Sequence, residues 1–156
     1  MNTEPRYWLI KSESDCYSIA DLKKERKTRW SGVRNFQARN FMRDLMKVGD
    51  KALFYHSGGT APHVAGVAVV SAEAAPDVTA LDKKDDHYDP KSSKTNPIWV
   101  ATEFSYQNTF KNVIPLSRIK LDPALKGIMV AQTGSRLSIQ PVSRQHFEYI
   151  VKLGMA

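Results

Sequence analysis

Lys51-Ala-Leu-Phe-Tyr-His-Ser-Gly-Gly59, followed by Val64-Ala-Gly-Val-Ala-Val-Val-Ser-Ala-Glu-Ala74, commits this chain to a β-rich architecture. The first segment is a short run with a strong apolar centre that stops at a glycine pair, the signature of a buried strand. Tyr55, His56 and Ser57 then lie at a strand end beside a loop, where binding residues are commonly displayed. The second segment alternates small and branched apolar residues. Gly66 inside it predicts a bulge or a close backbone approach, and Pro76-Asp77 breaks it.

Upstream, Arg6 to Lys11 (Arg-Tyr-Trp-Leu-Ile-Lys) reads as a first strand with Trp8 in the core, and Ser12 to Asp15 as a polar turn. Ser18 with Asp21 three residues on has the form of a capping arrangement for a short helix through Leu22 and Lys24. The basic run Lys23, Lys24, Arg26, Lys27 and Arg29 reads as a solvated helix end, its cations complementing the C-terminal dipole. Val48-Gly49-Asp50 is a turn into the Lys51 strand.

Downstream, residues 82–97 are too polar and too rich in turn formers to be an element, and a loop of that length in a compact domain is functional or mobile. Ile98 to Phe110 returns to strand character with Trp99 at its start. Leu116 to Lys120 and Pro123 to Ile128 read as helical turns, Pro123 suiting a first helical position. Arg136 to Gln140 alternates like a half-buried strand that Pro141 ends. Ser143 caps a closing helix whose Phe147, Ile150 and Val151 share one face, with Gly154 past its end. Five or six strands broken by short helices imply an α+β domain on a curved sheet or small barrel, residues 1–156 forming one domain.

The composition is that of an ordinary soluble globular protein, 42% hydrophobic and 25% charged. Cys16 is the single cysteine, so there is no internal disulfide and no Cys-based zinc site. The N-terminus lacks a basic segment followed by an apolar run, and no window approaches a membrane span, so a cytoplasmic protein with no membrane association is expected. Net charge is +7. Residues 1–60 hold 12 basic and 7 acidic groups against 11 and 9 in the remainder, which concentrates the excess where a polyanion-facing surface would need it.

That basic half contains Trp30-Ser-Gly-Val-Arg-Asn-Phe-Gln-Ala-Arg-Asn-Phe41. Gly32 permits a turn or a close approach to a ligand. Asn35 can cap a helix that carries Phe36, Phe41 and Leu45 inward and Arg39 and Arg43 outward. Trp30 lies between a basic run and Ser-Gly, a setting for stacking on a ligand, and Arg34 sits in a tight turn where its guanidinium could face a base edge or a phosphate. If Asn35 only caps the helix, Trp30, Val33 and Arg34 carry the recognition. A flat, polar-edged group attached to an anion, such as a nucleobase, fits this stretch.

Little points to catalysis. His56, His63, His87 and His146 form no close helical pair of the kind zinc hydrolases use. His87 with Asp89 gives at most two ligands on a loop, so neither metal nor other cofactor is expected. The Gly-x-Ser-x-Gly elbow and a glycine-rich phosphate loop are absent, and His56 and Ser57, as strand neighbours, point to opposite faces. Two other readings stay open: an enzyme acting on a nucleotide or small acidic molecule through His56, Ser57, His87 and Asp89, and an RNA-binding accessory subunit.

Several motifs in order, Tyr7-Trp-Leu-Ile-Lys-Ser-Glu13, Trp30-Ser-Gly-Val-Arg-Asn35 with Gln37-Ala-Arg-Asn40, Phe54-Tyr-His-Ser57, His87-Tyr-Asp-Pro90 and Arg136-Leu-Ser-Ile-Gln-Pro141, together resemble the EVE domain. The likeness runs from about residue 6 to 153. It implies a PUA-like curved sheet or pseudo-barrel of five to six strands flanked by short helices, related to the YTH and ASCH domains, that binds nucleic acid without catalysis. The implied ligand is a modified base in DNA or RNA, with modified cytosine in DNA foremost. Carried onto matching positions, the base pocket would be lined by Lys11, Ser12, Trp30, Val33, Arg34, Asn35, Tyr55, His56 and Ser57, with Arg39 and Arg43 on phosphates. Ser14 stands where many members have proline, Ser31 where others have Asp or Thr, and Phe36 where others have Tyr.

Overall fold

Six strands share one sheet. The computed structural model describes residues 4–58, 61–134 and 136–156; the N-terminal segment Met1 to Thr3 and Gly59, second of the glycine pair expected to end a strand, lie outside the described residues. Strands β1 (Tyr7–Glu13), β2 (Lys27–Trp30), β3 (Lys51–Ser57), β4 (His63–Pro76), β5 (Val100–Pro115) and β6 (Ile139–Val142) lie in the order β2-β5-β4-β3-β1-β6. β1 and β3 run parallel and every other pair is antiparallel. β2 and β6 are therefore edges, and the mixed sheet stays open.

A parallel pair cannot be closed by a hairpin. The crossover from β1 to β3 holds helix α1 (Ile19–Glu25), strand β2 and helix α2 (Phe36–Asn40), which a π-helical turn, Phe41–Leu45, extends. Helix α1 starts with the expected capping box: the Ser18 hydroxyl accepts from the Asp21 N–H and the Asp21 carboxylate from the Ser18 N–H. Helices α3 (Leu116–Leu121) and α4 (Arg144–Met155) pack on the other side of the sheet.

The period-two alternation of the strands divides the core by face. Trp8, Ile10, Phe54, Phe104 and Met42 are buried on the α1–α2 side, and Leu9, Leu53, Val67, Phe110 and Ile150 on the α3–α4 side. The predicted irregularity at Gly66 is present. The β3–β4 and β4–β5 registers both shift there, so Val64 and Val67 fall on the same face, and a Cβ on Gly66 would lie 2.4 Å from the Asn108 carbonyl oxygen. Buried Asp50 ties the entry of β1 to the turn before β3, accepting from the Arg6 N–H, the Lys47 N–H and Trp8 Nε1, each at 3.0 Å.

Local readings of the sequence needed correcting where tertiary partners decide. β1 continues through Ser12 to Glu13, because β3 pairs with it over its whole length. The second half of the basic run is strand β2, paired to β5 alone, and not a helix end. In the α2 region Ala38 and Met42 are the buried residues, whereas Phe36 is 58% exposed and lies flat against Trp99. Residues 123–131 form two short 3-10 turns, Pro123–Leu125 and Met129–Ala131, so Pro123 to Ile128 is not one helical segment. The last strand begins at Ile139 and includes Pro141, tolerated because β6 is an outer strand. Gly154 lies inside α4, where a Cβ would come within 2.4 Å of the Phe110 ring.

Candidate functional site

The C-terminal end of β1, the chain entering α1, strand β2 and the long loop surround a cleft of about 420 Å³. Lys11, Ser12, Tyr17, Trp30, Ser31 and His87 line it, and that size falls in the range of about 300–1,000 Å³ usual for small-ligand sites. Trp30 is only 8% exposed. Its indole meets Phe54, Phe104 and Tyr17 at near-perpendicular ring angles, with centroids 5.5, 5.7 and 6.2 Å away. It is part of the core and of the cleft wall together.

The polar groups are oriented. Ser12 Oγ donates to the Tyr17 carbonyl at 2.7 Å, so toward the cleft it offers lone pairs. The Tyr17 hydroxyl donates to Glu25 at 2.5 Å; burial, and then that carboxylate, push its pKa up to about 12, which keeps the phenol neutral. Lys11 has its ammonium 5.8 Å from the Tyr55 ring centroid, and burial lowers its pKa.

His87 reaches the cleft because the long loop is pinned. Arg34 donates to the His87 carbonyl from Nε at 2.9 Å and Nη2 at 2.7 Å, and also to Thr79 Oγ1. Its Nη1 lies 3.0 Å from Asp77, whose side chain is fully buried. Asp77 also accepts from the Gly32 N–H at 2.8 Å, the Thr79 N–H and the Thr79 hydroxyl. Burial pushes the Asp77 carboxyl up, but those donors and the Arg34 guanidinium together hold it below the usual carboxylate range. Gly32, at φ +83°, sits so close under the imidazole that a Cβ would lie 2.8 Å from His87 Nε2. His87 Nδ1 faces Asp85 at 3.1 Å. A second tie is Trp99, buried, donating to Asp89 at 2.7 Å, with the Arg34 and Arg39 guanidiniums over its ring.

The structure brings Lys11, Ser12 and Trp30 to the cleft and gives the other expected pocket residues different partners. Val33 is buried in the core, and Asn35 caps α2 by accepting from the Ala38 N–H. Arg34 holds Asp77 and the loop. Tyr55 lies on the α3–α4 face, as the alternation of β3 also requires of Ser57, which pairs with Glu13. His56 is buried, its Nε2 accepting from the Ile19 N–H at 3.1 Å and its Nδ1 3.2 Å from His63 Nε2. Of the two expected phosphate ligands, Arg39 donates to the Ile98 carbonyl and Asn40, and Arg43 pairs with Asp44. Ser31, noted in sequence as a departure from the family pattern, does line the cleft, whereas sequence reasoning missed Tyr17 and His87 as cleft residues and Asp77 as their organiser. His87-Tyr-Asp-Pro90 was a visible motif for the loop, but nothing local marks Asp77 as the partner of Gly32 and Arg34.

Among the described residues, Glu13, Asp15 and Cys16 are the one group of three potential metal ligands, and all are exposed. His87 and Asp89 are engaged with Asp85 and Trp99. No helix among the described residues is long and apolar enough to cross a membrane.

The open mixed sheet flanked by short helices, with a small, polar-rimmed cleft beside a pinned loop, has a PUA-like fold. The chain belongs to the EVE domain family, whose profile matches residues 6–153. Human thymocyte nuclear protein 1 is 40% identical over 166 residues, covering 94% of this chain and 73% of that protein. A Pseudomonas syringae protein of known structure superposes with a TM-score of 0.91 at 42% identity, covering 96% of this chain and 99% of that one. The human protein in complex with 5-methylcytosine-containing DNA superposes with a TM-score of 0.88 at 38% identity, covering 97% and 98%. An ASCH protein from Zymomonas mobilis, 14% identical with a TM-score of 0.56 over 96% of each chain, shares the fold.

Proposed function

We propose that this protein is a non-catalytic reader of modified cytosine in DNA, taking the extruded base into the cleft between β1, β2 and the long loop. The observation that carries the reading is the similarity over nearly the whole chain to a human protein bound to 5-methylcytosine-containing DNA. The chemistry of the cleft agrees with it. Ser12, its proton committed to Tyr17, accepts from the exocyclic amine of cytosine, and Lys11 supplies a donor for the acceptor edge. The Trp30 and Tyr17 rings offer apolar surface to a 5-methyl group, and His87 closes the slot over Gly32. Extrusion costs a few kcal/mol and stacking returns about 1–3 kcal/mol, so the modification tips a near balance. Binding without turnover fits the placement of His56, which faces Ile19 and His63 and not the Ser57 hydroxyl. We place such a reader in the cytoplasm of a cell whose DNA is accessible there.

The test is a titration of duplex oligonucleotides that differ at a single cytosine, with an RNA of the same sequence alongside. The wild-type chain should prefer 5-methylcytosine DNA, and exposed His87→Ala should erase the preference while leaving the fold intact. Equal affinity of the wild type for modified and unmodified duplexes defeats the reading, and tighter binding of modified RNA moves it to RNA. Trp30→Ala is a poor probe because it also empties the core between Phe54 and Phe104.

A further inference from the structure

Arg39 and Arg43, the expected phosphate ligands, are committed to the Ile98 carbonyl, Asn40 and Asp44. The backbone on either side of an extruded base needs cations elsewhere. Beside the cleft, residues 21–29 carry five basic groups, Lys23, Lys24, Arg26, Lys27 and Arg29, against Asp21 and Glu25. All five are exposed. Asp21 is spent on the α1 cap and Glu25 on the Tyr17 hydroxyl. Among the described residues none of the five lies within ion-pair reach of a carboxylate. Arg29 holds the Glu73 and Ala101 carbonyls. Lys23 and Lys24 at the end of α1, Arg26 at the corner and Lys27 at the start of edge strand β2 are left exposed, and the residues that follow, Thr28 to Trp30, line the cleft.

Helix-dipole compensation accounts for Lys23 and Lys24, which sit in the last turn of α1. It does not account for Arg26. This is the one non-glycine residue with positive φ among the described residues, at φ 75° and ψ −38°. Its N–H closes α1 on the Leu22 carbonyl at 2.7 Å and its carbonyl receives the Tyr106 N–H at 2.8 Å, so both flanking elements impose the conformation. Glycine adopts such a backbone without steric cost. The chain places a guanidinium there, and strain of that kind gathers at functional positions.

We infer that the α1–β2 corner, Lys23, Lys24, Arg26 and Lys27, is the phosphate-binding bank that carries the DNA strand into the cleft. The inference rests on the proposed base-reading role and locates the sequence-independent part of the affinity, which a polyanion supplies through counterion release.

Salt titrations of duplex DNA separate the two. In the wild type, the slope of log K against log salt reports the phosphates neutralised, by about 0.9 for each phosphate. The triple variant Lys23→Gln, Lys24→Gln, Lys27→Gln should bind modified and unmodified duplexes more weakly by the same factor, its slope shallower by about 1 for each phosphate no longer neutralised. Arg26→Gly should melt at the same temperature as the wild type or higher, yet reduce the slope by about 1, an outcome a purely structural arginine cannot give. Wild-type slopes in the triple variant and in Arg26→Gly overturn the bank while leaving the base pocket standing. Shallower slopes in a protein without any preference for methylated cytosine overturn the pocket while leaving the bank. A wild type that binds no duplex at any salt overturns both.

Discussion

The two faces of the sheet are closed by different means. On the α3–α4 side, Leu9, Leu53 and Phe110 are covered by Phe147 and Ile150 of α4 and by the 3-10 turns, and Gly154 lets α4 approach the Phe110 ring. Close packing seals that face. On the α1–α2 side the aromatic cluster of Trp8, Trp30, Phe54 and Phe104 stops short of the strand ends, and buried carboxylates finish the work: Asp50 at the entry of β1, and Asp77 beneath the cleft. Apolar packing tolerates many sequences of similar volume, whereas a buried carboxylate surrounded by several donors fixes orientation. The face that carries the cleft is the one held by directional bonds.

This contrast can be broken most severely at Asp77. Asp77→Ala strands a largely buried guanidinium and the Gly32 N–H, and should cost about 3–5 kcal/mol in urea unfolding together with loss of methylcytosine discrimination in the binding assay. Ile150→Ala, on the packed face, should cost about 3 kcal/mol and leave the discrimination of the surviving folded protein unchanged. If both variants lose discrimination in proportion to stability, the faces are not independent.

Acid should reach the two faces unequally. The Ile19 N–H requires His56 Nε2 to be an acceptor, so neutral His56 carries its proton on Nδ1 toward His63, and His63 donates to the Ala61 carbonyl. Burial, and then the neighbouring His63, lower the His56 pKa below 6.5. The unfolded chain thus takes up this proton first, and the contribution of neutral His56 is complete above pH 6.5 and is lost as pH falls through its lower folded value. Asp77 follows below its ordinary value of 3.8, where protonation removes its charged partnership with Arg34. The midpoint of urea unfolding measured from about pH 7.5 to about pH 3 should decline in those two windows, and His56→Asn should flatten the first. The smallest effect is expected at Phe36: although it stacks on Trp99 at 4.8 Å, it is mostly exposed, so Phe36→Ala should cost no more than about 1 kcal/mol.

Much of the packed face was legible from short-range signals. The apolar run at Lys51–Ser57, the interruption at Gly66 and the Ser143 cap with Phe147 and Ile150 depend on period and on residues a few positions apart. The cleft was legible only in outline. Trp30 looks exposed from its polar neighbours, but Phe54 and Phe104, distant in sequence, enclose it. Arg34 looks available for a ligand until Asp77, Thr79 and the His87 carbonyl are brought to it by β4 and the loop. Asp77 follows a proline and looks like a strand breaker; donors arriving from Gly32, Arg34 and Thr79 make it the organiser. Strand β2 was hidden because its alternation, Lys27 and Arg29 outward against Thr28 and Trp30 inward, spans only four residues and continues a basic helix end, and its strand pairing comes from β5 alone.

That dependence on β5 bears on biosynthesis. The ribosome releases Lys27–Trp30 well before the Thr102–Ser105 segment that will pair with it, so the strand spends part of synthesis as an unpaired edge beside a bare tryptophan. Lysine and arginine on such an edge repel a second nascent chain. Lys27, which also belongs to the proposed phosphate bank, thereby helps to keep the unpaired strand from aggregating until β5 arrives.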